Sequence, residues 1–335
     1  MTAEETPASS NDDETPQAQT TTDVTTDATA DSQEAAPATE ALEWHAPVLV
    51  RIDEHTTIPH LLKERVQRGA TRPLILRKIG IGDTWRSITA REFYDEVHAL
   101  AAGLIARGLE PGDRVAIMSR TRYEWTLLDF ACWAAGLVPV PIYETSSIDQ
   151  VAHVLVDADV HLIITETVSM AEIVRAAAER ENRDNTHVLS LDSEAIETLI
   201  AEGSATPRER VLARSEALTT DDIATIVYTS GTTGTPKGTV LSHENFTNLC
   251  LNAHAWMPEI AAGKNSRLLL FLPLAHVFAR FLQVFQISGN GVLGHAPNIK
   301  NLLPDLASFK PSYLLVVPRV LEKIYNSADT KARGP

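Results

Sequence analysis

Cysteine is nearly absent from this sequence, which has only Cys132 and Cys250 among its 335 residues. Two cysteines cannot build a disulfide framework, and each stands in an apolar, helix-like context that is typical of a small buried side chain. The histidines, such as His153 and His295, show no spacing that would let them bind a metal together. The sequence therefore excludes small domains that depend on disulfides or zinc for their stability.

Long apolar runs are also missing. The longest, Leu268–Leu274 and Tyr313–Val317, have the length of a strand, whereas a membrane-spanning helix needs about 20 apolar residues. The N-terminal residues Met1–Glu5 have neither the basic nor the apolar region of a secretory signal. We therefore expect a soluble, cytoplasmic protein.

Basic residues are absent from the first fifty positions, and Arg51 is the first one. Eleven carboxylates precede it, so they account for most of the net charge of −15 and leave −4 for the rest of the chain. Residues 1–42 have almost no large apolar side chain and cannot offset the entropy of ordering, which predicts a disordered acidic tail. No basic patch stands out elsewhere, and this argues against nucleic acid as a partner.

The apolar pattern after residue 43 alternates between short strands and amphipathic helices. Predicted strands at Val115–Met118 and His161–Thr165 alternate with predicted helices at Glu124–Ala135 and Ser147–Asp157. This order is typical of a parallel sheet flanked by crossover helices, so the predicted fold class is α/β. The predicted strand Val138–Tyr143 carries two prolines, and we expect it near an edge or at the end of a sheet.

Two local signals precede this alternation. Leu74–Arg77 and Thr84–Ser87 bracket a turn that contains glycine, which predicts a β-hairpin. Thr89 and Glu92 then have the spacing of a capping box, which predicts that a helix begins there.

Several later stretches have weaker patterns. Ala205–Thr220 is polar and is predicted to be a connection that leads into the strand Ile223–Val227. Gly291–Gly294 is predicted to be a tight link because of its two glycines. Tyr313–Val317 is predicted to be a strand and Arg319–Asn326 the start of a helix.

The stretch from Tyr228 to Gly238, YTSGTTGTPKG, has the composition of a phosphate-binding loop. It follows a predicted strand and combines three glycines, one lysine and, besides Tyr228, five hydroxyl side chains. Glycines let backbone N–H groups turn toward an anion, hydroxyls donate adjustable hydrogen bonds, and the lysine adds a positive charge. These properties predict a site for a polyphosphate.

A Walker P-loop, G-x-x-x-x-G-K-[ST], is the first alternative for this stretch. Counted from Gly231, the second glycine would fall at Pro236 and the Ser or Thr at Gly238, so the pattern fails at both places. An ordinary surface turn rich in glycine and threonine is the second alternative.

Three motifs resemble the adenylate-forming superfamily, which includes acyl-CoA synthetases, luciferases and peptide-synthetase adenylation domains. The loop resembles the phosphate-binding signature of that superfamily. Phe271–Arg280, FLPLAHVFAR, resembles its Leu-Pro-Leu-x-His segment, and Tyr313–Tyr325, YLLVVPRVLEKIY, is similar to a segment of long-chain fatty acyl-CoA synthetases. The resemblance implies that residues 43–335 form a partial N-terminal AMP-binding (adenylation) domain, with parallel sheets flanked by helices.

The resemblance also implies an activity and a set of site residues. The activity is that of a ligase that converts a long-chain fatty acid and ATP to acyl-AMP and then transfers the acyl group to coenzyme A. Lys237 and His276 would act in catalysis, and Thr229 would contact Mg²⁺. The ATP phosphates would be bound by Thr229, Ser230, Gly231, Thr232, Thr233, Gly234 and Lys237.

Simpler explanations stay open for several of these residues. Thr229 has the alternative of a turn hydroxyl that bonds to its own loop. His276 has the alternative of a histidine that starts a helix and is satisfied locally. Phe278, Phe281 and Phe285 are spaced three and four apart, so they either pack in the core or form one wall of an acyl tunnel.

Parts of the superfamily pattern have no counterpart in this sequence, among them the Tyr-Gly-x-Thr-Glu motif and the lysine of the C-terminal lid. We therefore expect an N-terminal part with little or no activity alone. The alternatives are a non-catalytic module that binds nucleotide or acyl ligand, and an adenylation enzyme that acts on a carrier-protein thiol. The expected partners are a long-chain fatty acid, ATP and coenzyme A, and peripheral contact with a membrane stays open.

Overall fold

The structure is a computed structural model that describes residues 47–80, 83–183, 185–229, 236–261, 263, 266–318, 321–322 and 325–326. Residues Pro47–Pro335 form one compact unit. The predicted acidic tail, residues 1–42, lies outside the described residues and stays a prediction.

The strands and helices follow one another along the whole described chain. The strands are β1 (Pro73–Lys78), β2 (Trp85–Thr89), β3 (Arg114–Met118), β4 (Val138–Ile142), β5 (Val160–Thr165), β6 (His187–Ser190), β7 (Ile223–Thr229), β8 (Lys237–Ser242), β9 (Arg267–Leu270) and β10 (Val292–His295). The helices are α1 (Ile58–Gly69), α2 (Ala90–Ala106), α3 (Tyr123–Ala134), α4 (Ile148–Asp157), α5 (Val168–Arg180), α6 (Ala195–Glu202), α7 (Arg208–Ala217), α8 (His243–Trp256), α9 (Pro258–Ala261), α10 (Val277–Ser288) and α11 (Leu302–Phe309).

One sheet has four parallel strands in the order β4-β3-β5-β6. Its strands alternate along the chain with α3, α4 and α5, so the predicted parallel sheet with crossover helices is confirmed. β4 is an edge strand of this sheet, as its two prolines predict. Because Pro139 and Pro141 have no N–H group, they cannot donate to a further strand along that edge.

A second sheet has the order β2-β1-β10-β9. β1 and β2 form the predicted antiparallel hairpin, and the capping box of Thr89 and Glu92 starts α2 as predicted. The prediction of a tight link at Gly291–Gly294 is wrong, because β10 lies between β1 and β9 and is parallel to both. Gly294 belongs to this strand because the ring of Phe309 packs on it, and an added Cβ would lie 2.3 Å from that ring.

Two further predictions are corrected by the structure. The polar stretch Ala205–Thr220 contains the helix α7, which buries Val211 and aims Arg214 at the carbonyl oxygen of Leu109 (2.6 Å). One buried position and several ionic ones give no apolar stripe, so the helix was not predicted. Tyr313–Val317 makes a single parallel bridge, from Tyr313 to Leu268, and no ladder among the described residues. The predicted helix Arg319–Asn326 is described at only four positions.

The core lies around α3, which is buried at every position, between α2 and the sheets. The burial explains why this helix has apolar residues on all sides. It also means that its one acidic residue in the middle, Asp129, lies in the interior.

β7 and β8 form a separate two-stranded antiparallel sheet. The strand Ile223–Val227 predicted from the sequence is confirmed as part of β7. β7 lies beside β4 without a backbone ladder between them in the described part of the chain. We call β7 and β8 together the signature hairpin, because the YTSGTTGTPKG stretch connects them.

Candidate active site

The two ends of the signature stretch lie at the tip of the signature hairpin. Thr229 is the last residue of β7, Lys237 is the first residue of β8, and the two face each other in the ladder. Both are exposed. The remaining predicted phosphate ligands, Ser230, Gly231, Thr232, Thr233 and Gly234, lie outside the described residues, so their roles stay predictions.

A cleft of about 430 Å³ opens beside this tip. Thr229 and Pro236 line it from the hairpin, His276 lines it from the start of α10, and Gln150 lines it from α4. Lys237 directly follows Pro236 but is not among the residues that line the cleft. The structure thus brings Thr229 and His276, which are 47 positions apart in the sequence, to one cavity.

His276 caps the N-terminus of α10. Its Nδ1 atom accepts a hydrogen bond from the N–H of Phe278 at 3.4 Å. The simpler explanation, that this histidine is satisfied locally at a helix start, therefore holds for Nδ1 but does not account for Nε2. A neutral imidazole that accepts at Nδ1 carries its proton on Nε2. The exposed ring therefore has a donor left for a ligand in the cleft.

The loop before His276 is fixed by Thr121, which follows β3. The Thr121 hydroxyl donates to the carbonyl oxygen of Leu272 (2.7 Å) and accepts from the N–H of Leu274 (3.1 Å). These two bonds hold the Leu-Pro-Leu segment against the end of the parallel sheet. Sequence analysis missed Thr121, since its partners lie about 150 residues away in the chain.

A buried ion pair connects α10 to α3. Arg280 and Asp129 are both fully buried, and the guanidinium donates to both carboxylate oxygens at 3.1 and 2.6 Å. Gln283 donates to the same carboxylate at 2.6 Å. Burial raises the pKa of the Asp129 carboxyl, and Arg280 opposes that shift. The pair fixes α10, and thereby His276 at its start, relative to the core.

The same arginine reaches the signature hairpin. Arg280 donates to the hydroxyl of Thr225, which in turn donates to the carbonyl oxygen of Pro139 at 2.7 Å. The indole N–H of Trp133 donates to the carbonyl oxygen of Ala224 at 2.7 Å. Side chains therefore supply, at the inner end of β7, the contacts that a backbone ladder with β4 would otherwise make.

Helix α4 contacts the outer end of the hairpin. Nε2 of His153 lies 2.7 Å from the carbonyl oxygen of Pro236, and the Tyr228 hydroxyl donates to Asp157 at 2.6 Å. The rings of His153 and Tyr228 meet edge to face with centroids 5.7 Å apart. Burial and the neighbouring Asp157 raise the pKa of the Tyr228 hydroxyl, so it stays a donor. His153 was given no role by sequence analysis because its partner is a backbone carbonyl and not another ligand.

The three phenylalanines of α10 divide between core and surface. Phe285 is buried, whereas 40% of Phe278 is exposed, and Phe281 stacks between them at 6.3 Å from Phe278 and 5.9 Å from Phe285. Core packing thus accounts for Phe285. The role of the outer two as part of an acyl tunnel stays a prediction.

Neither a metal-binding cluster nor a membrane-spanning helix is found among the described residues. They contain no group of three His, Cys, Asp or Glu side chains that could hold a metal ion. The contact of the Thr229 hydroxyl with Mg²⁺ stays a prediction. Every helix in the described part of the chain is too short or too polar to span a bilayer.

Comparisons with known proteins agree with the motifs. A family model described as AMP-binding enzyme matches residues 62–334. The long-chain-fatty-acid–CoA ligase FadD15 of Mycobacterium tuberculosis is 39% identical over 292 residues, which cover 87% of this chain and 48% of that protein. The long-chain-fatty-acid–CoA ligase ACSBG2 of Rattus norvegicus is 30% identical over 89% of this chain and 47% of its own length.

Solved structures show the same fold. A Mycobacterium tuberculosis fatty acyl CoA synthetase superposes with a TM-score of 0.67 at 23% identity, covering 81% of this chain and 51% of that one. The N-terminal domain of FACL13 from Mycobacterium tuberculosis superposes with a TM-score of 0.65 at 23% identity, covering 79% and 64%. The chain spans about half the length of the curated relatives it matches.

Proposed function

Because this chain belongs to the AMP-binding enzyme family, we propose that it carries the phosphate-binding region of a long-chain fatty acid–CoA ligase. Residues 43–335 would be the N-terminal AMP-binding domain of that enzyme. The observation that carries this proposal is the cleft in which the end of the signature strand, at Thr229, meets His276. The substrates proposed here are ATP, a long-chain fatty acid and coenzyme A.

The proposed reaction has two steps. In the first, a carboxylate oxygen of the fatty acid attacks the α-phosphorus of ATP, and the bond to the β-phosphate oxygen breaks, which gives acyl-AMP and pyrophosphate. In the second, the thiol of coenzyme A attacks the acyl carbon, loses its proton, and AMP leaves. The protein must therefore hold the outer phosphates still while negative charge grows on the departing pyrophosphate.

The signature stretch is suited to that first task. The proposal assigns the binding of the β- and γ-phosphates to the hydroxyls and N–H groups of residues 229–234 and to the ammonium group of Lys237. Thr229 and Lys237 face each other across the ladder, so they bracket the tip from both sides. Fixed donors of this kind stabilise developing charge without the cost of reorienting water.

His276 is suited to the acyl end of the reaction. Its Nδ1 is engaged by the Phe278 N–H, so Nε2 carries the proton that can be donated into the cleft. We assign this donor to the oxygen atoms that gain charge where the carboxylate meets the α-phosphate. The Asp129–Arg280 pair keeps the helix that carries His276 in place.

Mg²⁺ fits the site only as an ion held chiefly by the nucleotide. Magnesium in such sites takes most of its ligands from phosphates and water, with few from the protein. The Thr229 hydroxyl can supply one oxygen, and bound Mg²⁺ would offset the charge of the phosphates. The residues to which we assign the binding of the nucleotide do not depend on the contact between Thr229 and Mg²⁺.

A pyrophosphate-release assay tests the proposal. The 335-residue chain is supplied with ATP, Mg²⁺ and fatty acids from short to long chains, and acyl-AMP is detected by mass spectrometry. Binding of ATP is measured separately by calorimetry. Acyl-AMP formation with long chains supports the ligase. Binding of ATP without turnover supports the phosphate-binding role and leaves ligase activity unsupported for this chain. If the chain does not bind ATP and forms no acyl-AMP, the proposal is contradicted.

Two lysine variants make that assay specific. Lys237→Ala removes the charge that the proposal places on the outer phosphates, and we expect about a hundredfold loss in acyl-AMP formation or a matching loss in ATP affinity. Lys300→Ala removes a second exposed lysine, which does not line the cleft and is not part of the signature stretch, and it should leave both quantities unchanged. Equal behaviour of the two variants would contradict the assigned role of Lys237.

A further inference from the structure

The signature hairpin owes its position to side chains. It is a two-stranded sheet of its own, and in the described residues no backbone ladder joins it to either four-stranded sheet. Its neighbour β4 presents Pro139 and Pro141, which cannot donate such bonds. Without a ladder, the direction in which the tip points is set by apolar packing of Ile226 and Val227 and by a small number of side-chain hydrogen bonds.

The contacts at the inner end do not reach the tip. Trp133 and the Arg280–Thr225 pair engage Ala224 and Thr225. These positions lie four and five residues before Thr229, which is roughly 13 to 17 Å along an extended strand. They fix where the hairpin starts but leave the end that carries the phosphate loop to other contacts.

Helix α4 makes contacts of that kind on both sides of the loop. His153 lies 2.7 Å from the carbonyl oxygen of Pro236, just after the loop, and Asp157 accepts from Tyr228, just before it, at 2.6 Å. His153 and Asp157 are four residues apart, so they lie one above the other on one face of α4. The helix thus binds both ends of the loop with neighbouring side chains.

The same helix also forms a wall of the cleft. Gln150 and Val154 line the cleft together with Thr229 and His276. Tyr228 and Pro236, which are both attached to α4, are therefore held in a fixed orientation to the cavity in which the ligand would lie. A carbonyl oxygen can only accept, so the His153 contact requires the proton on Nε2.

We propose that His153 and Asp157 are positioning residues that hold the tip of the signature hairpin against α4, at Pro236 and at Tyr228. Neither lines the cleft, and their effect on nucleotide binding rests on the proposed function. The hydrogen bond from His153 to Pro236 and the one from Tyr228 to Asp157 keep Thr229 and Lys237 aligned with the cleft. Their loss lets the tip depart from α4 while the rest of the fold stays intact.

A matched pair of variants separates the hydrogen bond from the ring contact. His153→Phe keeps a ring against Tyr228 but removes the donor. His153→Gln removes the ring but keeps an N–H donor of similar reach. His187→Phe changes an exposed histidine on β6 and serves as the control. Thermal unfolding of all variants checks that each one folds cooperatively.

Limited trypsin digestion measures how often the tip of the signature hairpin opens, and it needs no ligand. Cleavage after Lys237 requires the start of β8 to open, and its rate follows the open population. We expect His153→Phe to be cut about fivefold faster, the effect of one lost hydrogen bond, and His153→Gln to return toward the wild-type rate. Equal rates in wild type and His153→Phe, or failure of glutamine to rescue, would overturn the proposal.

Calorimetry with ATP and Mg²⁺ gives the second readout. The dissociation constant should rise about fivefold in His153→Phe and recover in His153→Gln. Tyr228→Phe, which removes only the hydroxyl, tests the Asp157 contact independently and should act in the same direction. If the wild-type chain does not bind ATP while the digestion pattern holds, the positioning role is supported and nucleotide binding by this chain is contradicted.

Discussion

At the scale of single residues, His276 joins a structural and a proposed chemical role in one ring. Its Nδ1 caps α10, and Nε2 is the atom to which we assign a role in the cleft that His276 lines. Because asparagine is also a good N-cap residue, His276→Asn should preserve the helix start, whereas His276→Ala should cost about 1 kcal/mol of stability.

The measurement for His276 compares unfolding with ATP binding. Urea unfolding should rank wild type and His276→Asn together above His276→Ala. The affinity for ATP, measured by calorimetry with Mg²⁺, should fall in both variants, because neither places a donor where Nε2 stood. An asparagine variant with unchanged ATP affinity would show that the imidazole serves only as a cap.

Sequence patterns locate His276 and Lys237 but not the residues that hold them in place. Glycine, hydroxyl and lysine composition identifies the phosphate loop because those groups act locally. Thr121, Asp129 and His153 work through partners that lie 83 to 154 positions away. The spacing of apolar residues does not indicate these hydrogen-bonded pairs, because the partners come together only when the chain folds.

At the scale of elements, the Asp129–Arg280 pair decides how α10 packs on α3. Arg280→Met would leave the Asp129 carboxylate buried without its cation, which costs about 3–5 kcal/mol. Adding Asp129→Asn removes the unpaired charge and should recover about 1–3 kcal/mol through coupling between the two sites. A double variant as unstable as the sum of the two single ones would contradict this account.

Chemical unfolding of the two single variants and the double variant measures that coupling. The surface pair Arg180–Asp149 provides the control, since it lies in solvent. Arg180→Met should leave the unfolding midpoint essentially unchanged, because exposed ion pairs contribute little. The contrast tests burial itself as the cause of the effect.

Elements with a clear period were predicted correctly, and the exceptions have physical causes. α2 and β3 follow their apolar spacing, and β4 lies at an edge as its prolines require. β10 was missed because the glycine that suggested a turn is needed where the ring of Phe309 packs. α7 was missed because Arg214 binds a backbone carbonyl in place of an apolar contact.

At the scale of the whole molecule, two buried histidines tie stability to pH. Burial lowers the pKa of both His243 and His295 from 6.5 to about 4. Between pH 6.5 and about pH 4, these two histidines are therefore protonated in the unfolded chain and neutral in the folded chain. The contribution of the two neutral histidines to the free energy of unfolding is fully present above pH 6.5. It is lost as the pH falls toward 4, by about 3 kcal/mol for each residue.

Urea unfolding at several pH values between 7.5 and 4.5 tests this dependence. His295→Gln should reduce the slope, because one linked proton is removed. Part of the slope should remain, because burial also lowers the pKa of His98 and His254. His187→Gln, an exposed histidine, should leave the slope unchanged. Carboxyl groups whose pKa is lowered, such as that of Glu166, change the stability mainly at a pH below the range in which the histidines titrate. A flat profile in the wild type would refute the prediction.

The order of the strands in the sheets could not be predicted from the sequence. Alternating elements indicate parallel strands, but they do not say that β10 inserts between β1 and β9, or that β7 and β8 leave the parallel sheet. Such choices depend on packing between distant segments. The position of the cleft follows from them, because its walls come from β4, α4, β7 and α10.

The prolines of β4 have a last consequence for how this molecule can deform. Moving any inner strand of a four-stranded sheet lengthwise would break rows of bonds on both its sides. The boundary between β4 and β7 has no such rows in the described chain, and what crosses it is apolar packing and separate side-chain hydrogen bonds such as the one from Thr225 to Pro139. Displacing the signature hairpin along β4 would therefore break fewer backbone hydrogen bonds than displacing an inner strand of either four-stranded sheet.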